Sequence, residues 1–319
     1  MKMSEESNNR GRAYEFICLK TLEEEIKKIR PVEIEYNSSF YAAEKAWNLI
    51  DKNLQSILTL SATTAVTVLF DFEPLITEKE NDILTLLVQP DTKGEQGDVR
   101  DILLVRNGIK WEIGLSIKHN HFAVKHSRLS RTIDFGQKWY NDACSNEYWQ
   151  TVNPIFDYLE KCRDSGMLWR EMAEKDSTVY VPLLNAFKAE IEKAYSADKN
   201  LPKKLVEYLL GAYDFYKVIS VDHRQMTQLQ TYNTHGTLNK PAKKQKPKRT
   251  VPISVLPTKI VAFDFRTNST NTLEMYLDNG WQFSFRIHNA STKVEASLKF
   301  DIQIIGMPAS IITINSFWI

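Results

Sequence analysis

Between residues 14 and 29 the apolar side chains Phe16, Leu19, Leu22, Ile26 and Ile29 recur three to four apart, which predicts an amphipathic helix that Pro31 ends. A second helix is predicted from Ala42 to about Leu60. The β-branched stretch 63–70 fits either a further helix or a strand. The period then changes. Residues 99–106 alternate, Asn107-Gly108 supplies a two-residue turn tolerant of positive φ, and 111–117 form the returning strand of a hairpin. From 134 to about 216 the pattern is mainly helical and rich in Trp and Tyr, with helices near 155–164, 182–196 and 201–217. Short strands follow at 259–266, 272–277, 281–288 and 293–305, two of them joined by Asp278-Asn279-Gly280.

These elements predict an α/β protein in three parts: a body over 1–230 with a helical insertion, a loop or linker over 231–257, and a small antiparallel β unit over 258–319. The length of 319 residues and 43% hydrophobic content suit a globular chain with a real core. No run of about 18 charge-free apolar residues predicts a membrane span, and the polar start gives no secretory signal. Cys18, Cys144 and Cys162 are odd in number and widely spaced, so neither a disulfide framework nor a structural zinc site is expected. A reducing cytoplasm fits that usage.

The formal net charge of +1 conceals an asymmetry. Lys240, Lys243, Lys244, Lys246, Lys248 and Arg249 place six positive charges within ten residues, and the rest of the chain carries 35 basic against 40 acidic groups. A polyanion meets the local field rather than the total, so nucleic acid remains a candidate partner. A solvated linker explains the run equally well. If DNA is the partner, this loop is expected to be mobile when free and to close around the duplex backbone.

The chemistry concentrates around the predicted hairpin. Alternate side chains share a face of a strand, so Asp101 lies with Val99 and Leu103, while Asp98 lies with Arg100 and Ile102. On the returning strand Glu112, Gly114, Ser116 and Lys118 share a face, and strand twist brings Asp101 towards Ser116 and Lys118. Phosphodiester hydrolysis needs such a set. A carboxylate holds Mg²⁺, the metal activates water, and a lysine orients that water or stabilises phosphoryl charge. The bland alternative is a hairpin whose ends carry Asp and Lys for solubility. Gly114 favours the catalytic reading, since it permits close backbone approach. So does the polar run that follows, with His119, Asn120, His121, Lys125, His126, Arg128 and Arg131 as candidate phosphate contacts.

These residues resemble the PD-(D/E)XK nuclease superfamily, which places an Asp before one strand and a carboxylate-x-Lys on the next. Ser116-Ile117-Lys118 stands where that triplet is expected. The run 97–130, together with Asn9-Arg10-Gly11-Arg12-Ala13-Tyr14-Glu15, more closely resembles the HaeIII-type restriction endonucleases. The resemblance implies a restriction-endonuclease-like mixed sheet flanked by helices, and Mg²⁺-dependent Type II cleavage of double-stranded DNA at the palindrome GGCC. It also implies a cognate DNA methyltransferase, and a palindromic target suits a homodimer. Catalytic positions are then Asp101, Lys118 and Ser116, with Asp98 as the alternative to Asp101. Serine at 116 leaves the second metal carboxylate open among Glu112, Glu15 and Asp134. Arg128, Arg131, Arg224, Gln225, Gln228 and Arg286 are candidate base readers, and Lys243 and Lys244 candidate backbone contacts. Two other readings stay open: a DNA-binding protein with a decayed nuclease core, for which Ser116 speaks, and a repair nuclease without sequence preference.

Overall fold

A computed structural model describes residues 2–90, 97–122 and 125–318; the side chains of residues 2–7 and of His126 lie outside the description. The strands, in chain order, are β1 (Val32–Glu35), β2 (Leu84–Val88), β3 (Ile102–Arg106), β4 (Trp111–His119), β5 (Lys125–Ser130), β6 (Phe215–Val221), β7 (Met226–Tyr232), β8 (Ile260–Phe265), β9 (Thr272–Leu277), β10 (Gln282–His288), β11 (Ser297–Gly306) and β12 (Thr313–Phe317). The helices are α1 (Lys2–Lys27), α2 (Ser38–Leu49), α3 (Lys52–Phe72), α4 (Pro74–Thr77), α5 (Phe135–Tyr140), α6 (Asn146–Asp164), α7 (Val181–Ala197) and α8 (Leu201–Leu210). The chain forms two compact units, one of residues 1–122, 211–254 and 309–319, the other of 123–210 and 255–308.

The first unit is built on a mixed sheet of order β1-β2-β3-β4-β6-β7-β12. Pairing is parallel at β1/β2 and β4/β6 and antiparallel elsewhere. Helices α1 and α3 cover one face, where Leu19, Leu22, Ala65 and Leu69 meet Leu115, Ile117 and Tyr216 in a continuous apolar core. The helix expected over 42–60 is in fact two. Asp51 caps α3 by accepting from Leu54 N at 2.9 Å, and the ambiguous stretch 63–70 simply continues that helix. By length and composition α3 could cross a membrane, but Leu58, Ala62, Ala65, Val66, Leu69 and Phe72 are buried in the core.

The second unit pairs β5-β11-β10-β9-β8 in an antiparallel sheet. An aromatic core of Phe135, Trp139, Phe187, Phe263, Phe285 and Phe300 joins this sheet to α5 and α7. The parts expected at 1–230, 231–257 and 258–319 are therefore distributed differently. Strand β11 recruits β5 from far upstream, and β12 joins the other sheet because its partner there is β7. The helix expected over 201–217 ends at Leu210. Gly211 follows at φ +91°, with Gly97 O so close that a Cβ would sit 2.5 Å from it, and the chain then enters β6.

The basic stretch makes many hydrogen bonds to the first unit. Thr234 N and Thr237 N donate to Asp214, Asn239 N to Glu73, Lys243 N to Glu78 and Lys248 N to Asp71 O. Asn239 also clamps the two arms together, donating to Phe72 O and Arg249 O and accepting from Val251 N. The segment is a pinned strap. Its lysine side chains still reach solvent, Lys243 through an ion pair with Glu80 and Lys244 openly.

Glu73 holds the root of that strap and is fully buried. Its Oε1 accepts from Tyr216 and Asn239 N, while Oε2 has no partner among the described residues. Burial pushes its pKa up to about 7 against the opposing effect of those hydrogen bonds. An acid that keeps its proton longer when folded loses stability as pH rises. The loss begins at the ordinary carboxyl value of 4.5 and is complete above about pH 7. It amounts to about 3 kcal/mol over that window. Glu73→Gln should flatten this slope and leave the variant more stable than the parent at pH 8, as read by urea unfolding across pH 4.5–8. Parallel pH profiles in the two proteins would rule the mechanism out.

Candidate active site

Asp101 directly precedes β3, and Asp101 N donates to Leu115 O at 2.7 Å, locking it opposite β4. That register places it beside Ser116. Its Oδ2 accepts from Lys118 Nζ at 2.9 Å, from Ile117 N at 2.6 Å and from Ser116 Oγ at 3.4 Å. The hairpin turn is a short 3-10 turn over Asn107–Ile109, with Lys110 in the left-handed region at φ 51°. Asp101, Ser116 and Lys118 thus come together as the face argument expects.

Electrostatics favour the charged lysine. Burial works against the Lys118 ammonium, but the Asp101 charge, its hydrogen bond and the Glu15 carboxylate outweigh it, so the pKa stands above its ordinary value. Glu15 on α1 is therefore close enough to act on this pair. Helix α1 is fixed by a chain of hydroxyls. Tyr14 OH meets Ser61 Oγ at 2.6 Å, Ser61 Oγ meets Thr227 Oγ1 at 2.8 Å, and Trp318 Nε1 donates to Thr227 Oγ1 at 2.8 Å.

Three expected carboxylates are committed elsewhere. Asp98 accepts from Arg100 Nε and NH2 at 2.8 and 2.7 Å, and Glu112 accepts from Arg100 NH1 at 2.7 Å. The pairing with a buried cation is what keeps Asp98 ionised: burial raises its pKa, but the bonds to Arg100 and Gln89 bring it below the usual carboxylate range. Gly114 belongs to the same structure. The Arg100 side chain lies across it, and a Cβ there would meet Arg100 Cδ at 2.1 Å. The close approach that Gly114 permits is by an arginine of the same chain. Asp134 caps α5 in the second unit, accepting from Gln137 N at 2.9 Å and from Cys144 N. Of the four expected metal carboxylates, Asp101 and Glu15 stand near Lys118, while Glu112 and Asp134 have structural partners.

Strand β4 exits into a knot around Asp222. His119 Nε2 and Asp222 Oδ2 are 2.6 Å apart, Ser220 Oγ donates to Asp222 Oδ1 at 2.7 Å, and Asp222 N donates to Asn120 Oδ1 at 2.9 Å. Asn120, at φ 51°, also donates through its backbone to Ser220 O. His121 is exposed, as are His223, Arg224 and Gln225 on the β6–β7 turn; Gln228 on β7 donates to Asn315 Oδ1. Lys125 on β5 donates to Tyr208 O at 2.8 Å and lies over the Tyr208 ring, and burial pushes its pKa down to about 8. Neighbouring His126 lies on the same strand, its side chain outside those described. Arg128 bonds Glu295 and Ser297, Arg131 pairs with Asp157, and Arg286 with Asp301. These three arginines have acidic partners within the second unit and are not free guanidinium forks.

The sequence reading missed Lys217. It lies on β6 opposite Ser116, is 3% exposed, and donates to Phe122 O at 2.8 Å. Burial and the neighbouring Lys118 push its pKa down to about 7, against the pull of Asp101. The available signal was a lone lysine inside the apolar run Phe215-Tyr216-Lys217-Val218-Ile219.

An Asp–Lys pair on adjacent strands with a helical carboxylate nearby can hold a hard cation and stabilise phosphoryl charge, and sequence comparison shows the family of the chain. The family model of the HaeIII restriction endonuclease matches residues 11–308. The chain belongs to the HaeIII restriction endonuclease family. It is 49% identical over 317 residues to the Type II restriction enzyme HaeIII of Haemophilus aegyptius, spanning 99% of each protein. No solved structure matches. The family match takes in α1 from Gly11, the Asp101 hairpin and the polar exit of β4; β12 lies beyond it.

Enzymes of this class use a divalent metal in general. The donor set here suits a hard cation: Asp101 supplies a carboxylate whose Oδ1 lies outside the three bonds to Oδ2, and Glu15 lies within electrostatic reach. Among the described residues no group of three or more His, Cys, Asp or Glu forms a closed cage. A hard divalent cation can occupy such an open site by keeping several waters and taking further oxygens from phosphate.

Proposed function

We propose that this chain is a Type II restriction endonuclease that hydrolyses both strands of duplex DNA at GGCC, with Mg²⁺ held by Asp101 and Glu15. The observation that carries the reading is the convergence of Lys118 Nζ and Ile117 N on Asp101 Oδ2 at the edge of β3 and β4. Identity of 49% to a protein named a Type II restriction enzyme supports the restriction-endonuclease part of the reading.

When bound, the metal polarises the phosphate and lowers the pKa of a coordinated water. The chain's own residues do the rest. Asp101 is held through Oδ2 by the Ile117 amide, so Oδ1, which has no hydrogen-bond partner among the described residues, has a fixed aim. Lys118, kept as an ammonium, faces the position where negative charge grows on the phosphoryl oxygens and stabilises it more than the ground state. Ser116 adds one long hydrogen bond to Asp101, a positioning contact in place of a second carboxylate. The exposed His121, Arg224 and Gln225 and the strap lysines Lys243 and Lys244 are the groups best placed in the first unit to meet DNA; His119 and Asn120 shape the β4 exit through Asp222. A homodimer on the palindrome, a cognate methyltransferase and a cytoplasmic location complete the proposal.

Incubation with phage DNA tests it. Discrete fragments should form with Mg²⁺, vanish with EDTA, and vanish when the sites are methylated. A smear would indicate a nuclease without sequence preference. Binding without cleavage under any divalent metal would favour the decayed core, the reading for which the missing carboxylate at Ser116 speaks.

A further inference from the structure

Lys217 is an unexpected residue to find in the middle of β6. Apart from the Tyr216 hydroxyl, which bonds Glu73, and Ser220 at the edge of the Asp222 knot, the remaining β6 side chains are apolar, and the whole strand is buried. An ammonium in such a place is costly to desolvate, and an aliphatic residue would serve the sheet better. Its location is specific. Strands β4 and β6 are parallel, and Lys217 pairs with Ser116, so both side chains leave the same face of the sheet as Asp101 and Lys118. Its Nζ reaches across that face to the carbonyl of Phe122, 2.8 Å away. Phe122 ends the short segment that leaves the site, in which Lys118 bonds Asp101 and Asn120 bonds Ser220 and Asp222. One end of the segment is therefore fixed by the Asp222 knot and the other by Lys217.

We propose that Lys217 is a positioning residue of the cleavage centre, whose bond to the Phe122 carbonyl holds the segment 119–122 in place beside the Asp101–Lys118 pair. The inference rests on the nuclease reading above and adds a residue to it. A buried amine kept for positioning carries a signature that a purely structural lysine lacks: removing it lowers activity without lowering stability. An aliphatic side chain of similar length relieves the desolvation but cannot donate to Phe122 O. Arginine can still donate.

The test compares wild type, Lys217→Met and Lys217→Arg in single-turnover cleavage of a duplex carrying GGCC, with thermal unfolding and metal-free DNA binding measured on the same samples. In the expected result Lys217→Met unfolds at or above the wild-type temperature and binds DNA within about threefold of wild type. It cuts at least 30-fold more slowly, and Lys217→Arg recovers a large part of that rate. Cleavage by Lys217→Met within threefold of wild type overturns the inference. So does a loss of rate that accompanies a fall in unfolding temperature and is not rescued by arginine. A wild-type chain that cuts no DNA overturns the nuclease reading and this inference with it, which keeps the two failures apart.

Discussion

Asp101→Ala and Asp101→Asn should each lower single-turnover cleavage at least ~10³-fold, about 4 kcal/mol of transition-state stabilisation, while metal-free DNA binding persists. The asparagine variant is the sharper of the two. It keeps an oxygen that can accept from Ile117 N and Lys118 Nζ, so the local fold is preserved while the charge is removed. Lys118→Ala should cost about 10²- to 10³-fold, the usual effect of removing one donor aimed at developing charge. The double variant should be little worse than Asp101→Ala, because the two residues act as a unit. Cleavage by Asp101→Asn within tenfold of the parent would remove Asp101 from the centre and return attention to Glu15.

The largest stability effect is expected at Arg106, which is 2% exposed and far less conspicuous in the sequence. Its guanidinium donates to Asp82 through Nε and NH2, to Glu78 at 2.8 Å and to Leu75 O at 3.0 Å. Arg30, also buried, shares Asp82. Removing one member of a buried ion cluster strands the others, which costs about 3–5 kcal/mol. Arg106→Ala should show that loss in urea unfolding. Because Glu78 also accepts from Lys243 N, the same variant should expose the strap at 243–249 to proteolysis. A loss under about 1 kcal/mol, with the strap as resistant as before, would mean the cluster does not hold this corner.

What could be read from the sequence follows the physics of each element. The hairpin was legible because Asn-Gly separates two strand-like apolar runs, but its details were not: β3 and β4 are buried on both faces, and the positive φ falls on Lys110 after a 3-10 turn rather than on Asn107 or Gly108. Alternation of faces along its two strands is enough to bring Asp101 to Lys118. Strand β6 was not legible, since all seven of its residues are buried and no alternation survives; it read as the tail of the preceding amphipathic helix. Strands β1 and β2 are four and five residues long, too short for a period to register. The carboxylates were harder. Spacing places Asp98 and Glu112 on plausible faces but cannot show that Arg100 claims both. Glu15 was accessible through the resemblance and through nothing in its own surroundings. The contacts of the strap were not legible, because its composition is that of a linker and its anchors Glu73 and Glu78 lie far from it in sequence.

The discontinuity of the first unit has a consequence for synthesis. Its sheet needs β12, which pairs with β7, and Trp318, which bonds the Thr227 that steadies α1. The second unit draws only on 123–210 and 255–308, all of it made earlier than 309–319. On the ribosome the unit without Asp101 can therefore complete its sheet first, whereas the unit that carries Asp101 and Lys118 must wait for residues made some two hundred positions after them. A nascent chain thus leaves the sheet that carries Asp101 and Lys118 unfinished until residues 309–319 have emerged, so the proposed cutting power would arrive late and all at once.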